Sequence, residues 1–171
     1  ACAGFLLGFP SCAIKEGLES FAGVDRRFQI IYKDKNLTVA DDYAHHPTEI
    51  AATLCAAKTM GFSKVTAIFQ PFTYSRTALL FREFADALSI AHRVILAPVM
   101  AGREPPMEGV SSALISQYLP HATLCESLSH CAAVALGKAQ KGELILTLGC
   151  GNVNECALEM AGFLKKHNCH A

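Results

Sequence analysis

The sequence lacks several features that would assign a chain to a class of protein at once. Charge of one sign is not in excess, because 15 acidic side chains balance 15 basic ones, so nucleic acid and anionic membranes are not expected as partners. Apolar runs of the roughly 18 residues that a membrane-spanning helix needs do not occur. The apolar stretch at the N-terminus is short and has no basic leader, so we do not interpret it as a signal peptide.

Cysteine occurs eight times, yet no two cysteines form the C-x-x-C pair that would indicate a zinc or redox motif. The closest pairs, Cys125 with Cys131 and Cys150 with Cys156, are six positions apart. Most cysteines lie in apolar segments, where a free thiol behaves as a small hydrophobic side chain. The cysteine pattern therefore predicts reduced thiols in a cytoplasmic protein.

Two nucleotide-binding patterns are also missing. The sequence has no G-x-x-x-x-G-K-[ST] segment and hence no P-loop of its own for ATP. The stretch "LGCGNVNE" places glycines between a strand and a helix, but Asn154 stands where a dinucleotide fingerprint needs its third glycine, and the stretch belongs to the last strand–helix unit instead of the first. These glycines therefore predict a tight turn and not a Rossmann-type cofactor site.

What the sequence does contain is an alternation of strands and helices in a chain that is 51% hydrophobic, enough for one domain with a large core. The runs "FQIIY" and "LTVAD", separated by the turn signal "KDKN", predict an N-terminal β-hairpin. Apolar strands such as "KVTAIFQ", "RVILAPV" and "ELILTLG" then alternate with helical segments. This predicts a three-layer α/β fold, a mostly parallel sheet with helices on both faces. In the helix "RTALLFREFADALS" we expect Leu79, Leu80, Phe84 and Leu88 to share the buried face.

Polar segments follow four of the predicted strands: "DDYAHH", "QPFTYSR", "MAGREPP" and "GCGN". Because parallel strands end at the same edge of a sheet, we expect all four segments to lie along one rim. Ligands of such sheets bind in the crevice outside the carboxyl ends of the strands. The rim is therefore the candidate site.

The first of these segments concentrates titratable side chains. Asp41 and Asp42 end a strand, and they can bind a metal, act as acid and base, or accept hydrogen bonds from sugar hydroxyls; one of them can instead cap the following turn. We expect His46, just before Pro47, to cap a helix and His45 to point into the crevice. A metal cage of both aspartates and both histidines has no distal ligands at a recognisable spacing to complete it.

Arg76 stands just before a predicted helix, where its guanidinium can grip a carboxylate or phosphate at two points. The alternative is a surface arginine paired with a nearby acid. Arg103 and Glu104 either brace their loop or touch the ligand, and the sequence does not distinguish these roles.

The motifs "GVDRRFQ", "DDYAHHPTEI", "FQPFTYSRT" and "LGCGN", in this order and at similar spacing, resemble the C-terminal domain of the Mur ligases. The resemblance covers essentially the whole chain and is greatest to the members that join L-alanine to UDP-N-acetylmuramic acid. It implies a Rossmann-like C-terminal domain over residues 26–171. It also implies that residues 1–25 are the tail of the central, ATP-binding domain, which accounts for N-terminal helices with no adjacent sheet.

The resemblance implies an ATP-dependent amide-bond-forming ligase of cytoplasmic peptidoglycan synthesis. In such enzymes the N-terminal domain holds the UDP-sugar, and the central domain carries the P-loop and the Mg²⁺ ligands. This chain alone is then expected to be inactive, with its ATP and Mg²⁺ bound mainly outside it.

By the same resemblance, Arg27 contacts the nucleotide phosphates and Asp42 the ribose hydroxyls, while Tyr43, His45 and Arg76 surround L-alanine. Many relatives have His-Arg or His-Thr where this chain has Phe72-Thr73, which makes the identity of the amino acid less secure. The alternative interpretation is a freestanding nucleotide- or metal-binding module that uses the aspartates and histidines of "DDYAHH".

Overall fold

In a computed structural model that describes residues 1–21 and 23–168, two short helices precede an alternating series of strands and helices. The elements are α1 (Cys2–Leu6), α2 (Ser11–Glu19), β1 (Gln29–Lys33), β2 (Leu37–Asp42), α3 (Pro47–Thr59), β3 (Lys64–Phe69), α4 (Tyr74–Leu88), β4 (Arg93–Leu96), α5 (Ser112–Ser116), β5 (Thr123–Leu124), α6 (Leu128–Gly137), β6 (Glu143–Leu148) and α7 (Asn154–Asn168). Among the described residues, no helix combines the length and the apolar character that crossing a bilayer requires.

The six strands form one sheet in the order β1-β2-β6-β3-β4-β5. Strands β1 and β2 are antiparallel and form the predicted hairpin, whereas β2, β6, β3, β4 and β5 are parallel neighbours. The last strand in the chain therefore lies in the middle of the sheet. All six residues of β6 are buried, including the polar Glu143 and Thr147, as expected for a strand covered on both faces.

Two hydrophobic clusters lie on opposite faces of the sheet and confirm the three-layer α/β fold. One cluster packs α3, α4 and α5 against the sheet and includes Ile50, Phe84 and Ile115. The other packs α6 and α7 and includes Cys131 and Met160. The sheet therefore has helices on both faces, as the apolar strands predict.

Some sequence expectations for the elements were wrong in detail. Leu79 is 75% exposed, although Phe84 and Leu88 are fully buried. Leu79 and Leu88 are nine positions apart, about two and a half turns, so they lie on opposite sides of a helix. Leu80 is partly buried and has non-helical backbone angles (φ −117°, ψ 18°), which kink α4. Strand β4 and helix α5 are shorter than their apolar runs suggest.

The N-terminal helices α1 and α2 stand apart from the two clusters and contain no buried residue. They pack on each other where Gly4 approaches Ile14 so closely that a Cβ on the glycine would be 2.9 Å from Ile14 Cγ1. Their remaining apolar surface faces solvent, and Leu6 and Leu7 are 88% and 75% exposed.

Candidate functional site

The register of the sheet aligns the carboxyl ends of its central strands. Asp42 pairs with Leu148, Leu148 with Phe69, and Phe69 with Leu96. The loops after β2 and β3 lead to α3 and α4 on one face of the sheet, whereas the loop after β6 leads to α7 on the other. The connections that leave β6 and its two neighbours thus run to opposite faces of the sheet. In parallel sheets, ligand crevices form where the connections diverge in this way.

Arg26 links its own segment to the end of β2 and to the loop after β6. Its Nε donates to Asp41 Oδ2 (2.9 Å), its Nη2 to the carbonyl oxygen of Gly149 (2.6 Å) and its Nη1 to that of Gly151 (2.9 Å). The Arg26 backbone is left-handed, with φ 59°, and the side chain is 22% exposed. Sequence reasoning missed this residue and favoured its neighbour Arg27. The only available signal was Asp41, a carboxylate on a buried strand that needs a cation.

The two aspartates at the end of β2 have different partners. Asp41 is fully buried and binds Arg26 and the hydroxyl of Thr147, which donates to Asp41 Oδ1 (2.5 Å). Asp42 accepts from the backbone N–H of Phe28 (2.8 Å) with Oδ2 and from that of Ala44 (2.8 Å) with Oδ1. Asp42 therefore caps the following turn. Each oxygen of the Asp42 carboxylate can accept a second hydrogen bond, so the backbone bonds leave room for a contact with ribose hydroxyls. That contact stays a prediction.

His46 caps α3, as predicted. Its Nδ1 accepts from Thr48 N at 3.4 Å, and Glu49 completes the capping box by accepting from the backbone N–H groups of His45 (3.1 Å) and His46 (3.2 Å). The hydrogen bond from the His45 backbone holds the pKa of Glu49 below its usual value. Pro47 occupies the first helical position, where no backbone donor is needed.

Tyr43 and His45 lie in the segment that follows β2. The Nδ1 of His45 is 3.0 Å from the carbonyl oxygen of Tyr43, which can only accept, and so this nitrogen is the protonated one. The Tyr43 ring meets the His45 ring edge-on, with centroids 5.5 Å apart. The guanidinium carbons of Arg26 and Arg27 are 5.0 and 5.7 Å from the Tyr43 centroid. Arg27 is exposed, so its charge is free to meet an anion from solvent.

Arg76 lies in the first turn of α4, at the end of β3. Its Nη1 is buried and has no hydrogen-bond partner among the described residues, and no described carboxylate forms an ion pair with it. The alternative of a surface arginine paired with an acid is therefore wrong for this structure. Burial raises the pKa of the Cys150 thiol, and the positive charges of Arg76 and Arg26 act in the opposite direction.

Glu104 reaches the same helix from the loop after β4. Its carboxylate accepts from Thr73 Oγ1 (2.6 Å), from Ser75 Oγ (2.5 Å) and from the backbone N–H of Ser75 (2.8 Å). Arg103, by contrast, is exposed. Of the two residues that the sequence did not separate, Glu104 is thus the one that braces its loop.

The glycines after β6 allow a close approach of two loops. Gly149 has φ 146°, and a Cβ there would be 3.0 Å from the carbonyl oxygen of Gln70. A Cβ on Gly151 would collide with Gln70 Oε1 and Met100 Sδ. The buried Gln70 in turn donates from Nε2 to Asn152 Oδ1 (3.0 Å). The prediction of a tight strand-to-helix turn is confirmed.

Metal ligands do not cluster at this edge. Within residues 1–21 and 23–168, no three side chains of His, Cys, Asp or Glu lie close enough together to hold a metal ion. The aspartates and histidines of "DDYAHH" instead engage in capping and in ion pairing within the protein. The geometry therefore gives no support to a freestanding metal-binding module.

The guanidinium groups of Arg26 and Arg76 thus lie at the carboxyl ends of a parallel sheet, the edge at which sheets of this class bind their ligands. Residues 26–151 match the family model described as Mur ligase, glutamate ligase domain. The chain belongs to this family.

Two curated relatives carry the name of the same ligase. It is 43% identical to the UDP-N-acetylmuramate–L-alanine ligase of Acidobacterium capsulatum over 147 residues, which are 85% of this chain and 32% of that protein. It is 40% identical to the ligase of the same name from Mycolicibacterium smegmatis over 163 residues, 93% of this chain and 34% of that protein. The chain thus spans about a third of the length of the curated relatives it matches.

A solved structure shares the fold. The UDP-N-acetylmuramate–alanine ligase of Thermotoga maritima superimposes with a TM-score of 0.81 at 27% identity, covering 97% of this chain and 36% of that one. The folylpolyglutamate synthase/dihydrofolate synthase of Yersinia pestis, at a TM-score of 0.66 and 19% identity, shares the fold alone.

Proposed function

We propose that this chain is the C-terminal part of a cytoplasmic, ATP-dependent ligase that adds L-alanine to UDP-N-acetylmuramic acid in peptidoglycan synthesis. The observation that carries the proposal is the guanidinium of Arg76: it lies at the start of α4 beside the crevice, and its buried Nη1 has no partner among the described residues. A buried donor without a partner is costly, so this arrangement favours a ligand that supplies an acceptor.

Arg76 suits the carboxylate of an amino acid for two reasons. A guanidinium binds a carboxylate through two parallel N–H···O bonds, and the N-terminal end of α4 adds a favourable field for a negative charge. The names of the relatives supply the amino acid, L-alanine. In this proposal Tyr43 and His45, in the segment that follows β2, complete the amino-acid site.

The nucleotide would meet the same edge from the other side of Tyr43. Arg27 is exposed beside the Tyr43 ring and would contact the phosphates of ATP, and Asp42 would accept from the ribose hydroxyls. When bound, ATP supplies the phosphoryl group that activates the carboxyl of the sugar substrate. From the resemblance to the Mur ligases, we assign the Mg²⁺ ligands mainly to the remainder of the enzyme.

The exposed apolar surface of α1 and α2 fits a role as part of a neighbouring unit. We assign residues 1–25 to the tail of the central domain and residues 26–171 to the C-terminal domain, of which Ala22 and residues 169–171 lie outside the described residues. Leu6, Leu7 and Phe9 would then be covered by the rest of the central domain, which removes an apolar patch from water.

The test is the conservative substitution Arg76→Lys in the full-length protein that contains this chain. The assay is release of phosphate that depends on ATP, UDP-N-acetylmuramic acid and L-alanine together. Loss of a two-point contact to a carboxylate is expected to raise KM for L-alanine on the order of tenfold to a hundredfold, since bonds to charged groups contribute about 1.5–3 kcal/mol. KM for ATP should stay unchanged.

Arg82→Lys is the matched control, because Arg82 is an exposed arginine on the same helix. It is expected to leave KM for L-alanine as in the wild type. If the wild-type protein ligates no L-alanine, the proposed activity is wrong. If Arg76→Lys and Arg82→Lys have the same KM for L-alanine, the role given to Arg76 is wrong.

A further inference from the structure

Helix α4 is capped from outside its own sequence. Its N-cap residue, Thr73, makes no side-chain capping bond to the helix. Instead Glu104 accepts from the backbone N–H of Ser75 at 2.8 Å, although the two residues are 29 positions apart. The same carboxylate also accepts from the hydroxyls of Thr73 and Ser75, at 2.6 and 2.5 Å. A remote acid thus performs the task that a local N-cap side chain performs in most helices.

Two further contacts fasten the same pair of loops. The backbone N–H of Met100 donates to the carbonyl oxygen of Pro71 (2.9 Å), next to a bridge between Met100 and Phe72. The ring of Phe72 lies against Gly102, where a Cβ would be only 2.9 Å from Phe72 Cζ. Gly102 also has φ 65°, a conformation that favours glycine. Residues 71–75 are therefore held by residues 100–104 along their whole length.

These contacts lie directly before Arg76, one position beyond Ser75. Since Arg76 belongs to the first turn of α4, its backbone position depends on where that turn begins. The hydrogen bonds from Ser75, the largest effect, hold the pKa of Glu104 at about 2, so the carboxylate is charged at neutral pH and keeps all three contacts. Glu104 forms no ion pair with Arg76, whose positive charge stays free for a ligand.

We propose that Glu104 is a positioning residue for amino-acid binding: it fixes the first turn of α4 and thereby aims Arg76 at the carboxylate of the bound amino acid. This inference rests on the function proposed above and extends it to a residue that does not itself touch the substrate. The proposal distinguishes Glu104, which binds the start of α4, from its neighbour Arg103, which is exposed and has no such role.

The experiment compares Glu104→Gln with Arg103→Gln in the full-length protein. Glutamine has nearly the same shape as glutamate, but its NH₂ group cannot accept from Ser75 or Thr73. We expect Glu104→Gln to raise KM for L-alanine about tenfold, the effect of one lost charge-assisted hydrogen bond, with KM for ATP and for UDP-N-acetylmuramic acid within about twofold of wild type. Arg103→Gln should leave all three KM values unchanged.

Ser75→Ala is a milder second variant, in case Glu104→Gln unfolds the protein. It removes one hydroxyl and keeps the charge and the backbone bond, so KM for L-alanine should shift in the same direction by a smaller factor. In the 171-residue chain, hydrogen exchange at the Ser75 amide should be faster in Glu104→Gln and unchanged in Arg103→Gln.

The outcomes separate the two proposals. If the wild-type enzyme ligates no L-alanine, the proposed function is wrong and the role of Glu104 is wrong with it. If the wild-type enzyme is active, but Glu104→Gln only lowers the melting temperature or raises all KM values equally, Glu104 has a structural role and the positioning role is refuted. A selective rise in KM for L-alanine together with faster exchange at Ser75 supports it.

Discussion

Arg26 offers the sharpest test of how the crevice is held together, through the substitution Arg26→Ala. The change removes three hydrogen bonds and leaves the fully buried carboxylate of Asp41 without its cation. Breaking a buried ion pair costs about 3–5 kcal/mol. We take the lower end, about 3 kcal/mol, because the Arg26 side chain is 22% exposed and water replaces part of its contacts.

The measurement is thermal and urea unfolding of the 171-residue chain, followed by circular dichroism. For a domain of this size, a loss of about 3 kcal/mol lowers the melting temperature by roughly 6–12 °C. Arg27→Ala is the matched control, since it removes the same side chain from the adjacent, exposed position. It should change the free energy of unfolding by no more than about 0.5 kcal/mol.

A double-mutant cycle with Asp41→Asn tests the cause of the loss. If the unpaired charge is responsible, Arg26→Ala should cost at least about 1 kcal/mol less when residue 41 is already neutral. Equal melting temperatures for Arg26→Ala and Arg27→Ala, or strictly additive effects in the cycle, would refute the reasoning.

Two further predictions concern pH and thiol reactivity. The pKa of Glu49 is lowered from 4.5, chiefly by the hydrogen bond from the His45 backbone, so folding favours the charged form; this stability is present above pH 4.5 and is lost as pH falls through the lowered pKa. Melting temperatures should therefore fall less between pH 6 and pH 3 in Glu49→Gln than in the wild type, and parallel curves would contradict this. Burial raises the pKa of Cys156 to about 12 and raises that of Cys131 as well. Iodoacetamide at pH 8 should therefore label the exposed Cys55 of the folded chain well before Cys131 or Cys156, as measured by peptide mass spectrometry. Equal labelling of all three thiols would contradict this prediction and show that the helices covering the two buried thiols open easily.

Local patterns carried much of the fold. The hairpin followed from two β-rich runs around "KDKN", and the start of α3 followed from His46, Pro47 and Glu49, because a capping box and an N-terminal proline are determined within a few residues. The rim followed from a general property of parallel sheets, whose strands end at one edge. Helix α4 shows where helical periodicity fails as a predictor of burial. Leu79 was expected on the buried face with Phe84 and Leu88, but it faces solvent.

The contacts that sequence reasoning could not assign join residues that are far apart along the chain. Arg26 bonds to Gly149, 123 positions away, and Glu104 bonds to Ser75, 29 positions away. No local pattern encodes such pairs, because an arginine beside another arginine and a glutamate in a proline-containing loop look like surface residues. The order of the strands was hidden for the same reason: three largely apolar strands are alike in sequence, and only their packing decides which lies in the centre.

The central place of β6 has a consequence for how the molecule acquires its shape. Its partners on either side, β2 and β3, are made much earlier, and Thr147 meets Asp41 across 106 positions. Until the ribosome releases β6, both of those strands expose an unpaired edge, and such edges invite association with other chains. Pairing across such long separations is also slow. A stop codon shortly before Glu143 would therefore remove the middle of the sheet and not its margin, and we expect the product to aggregate instead of forming a smaller version of the domain.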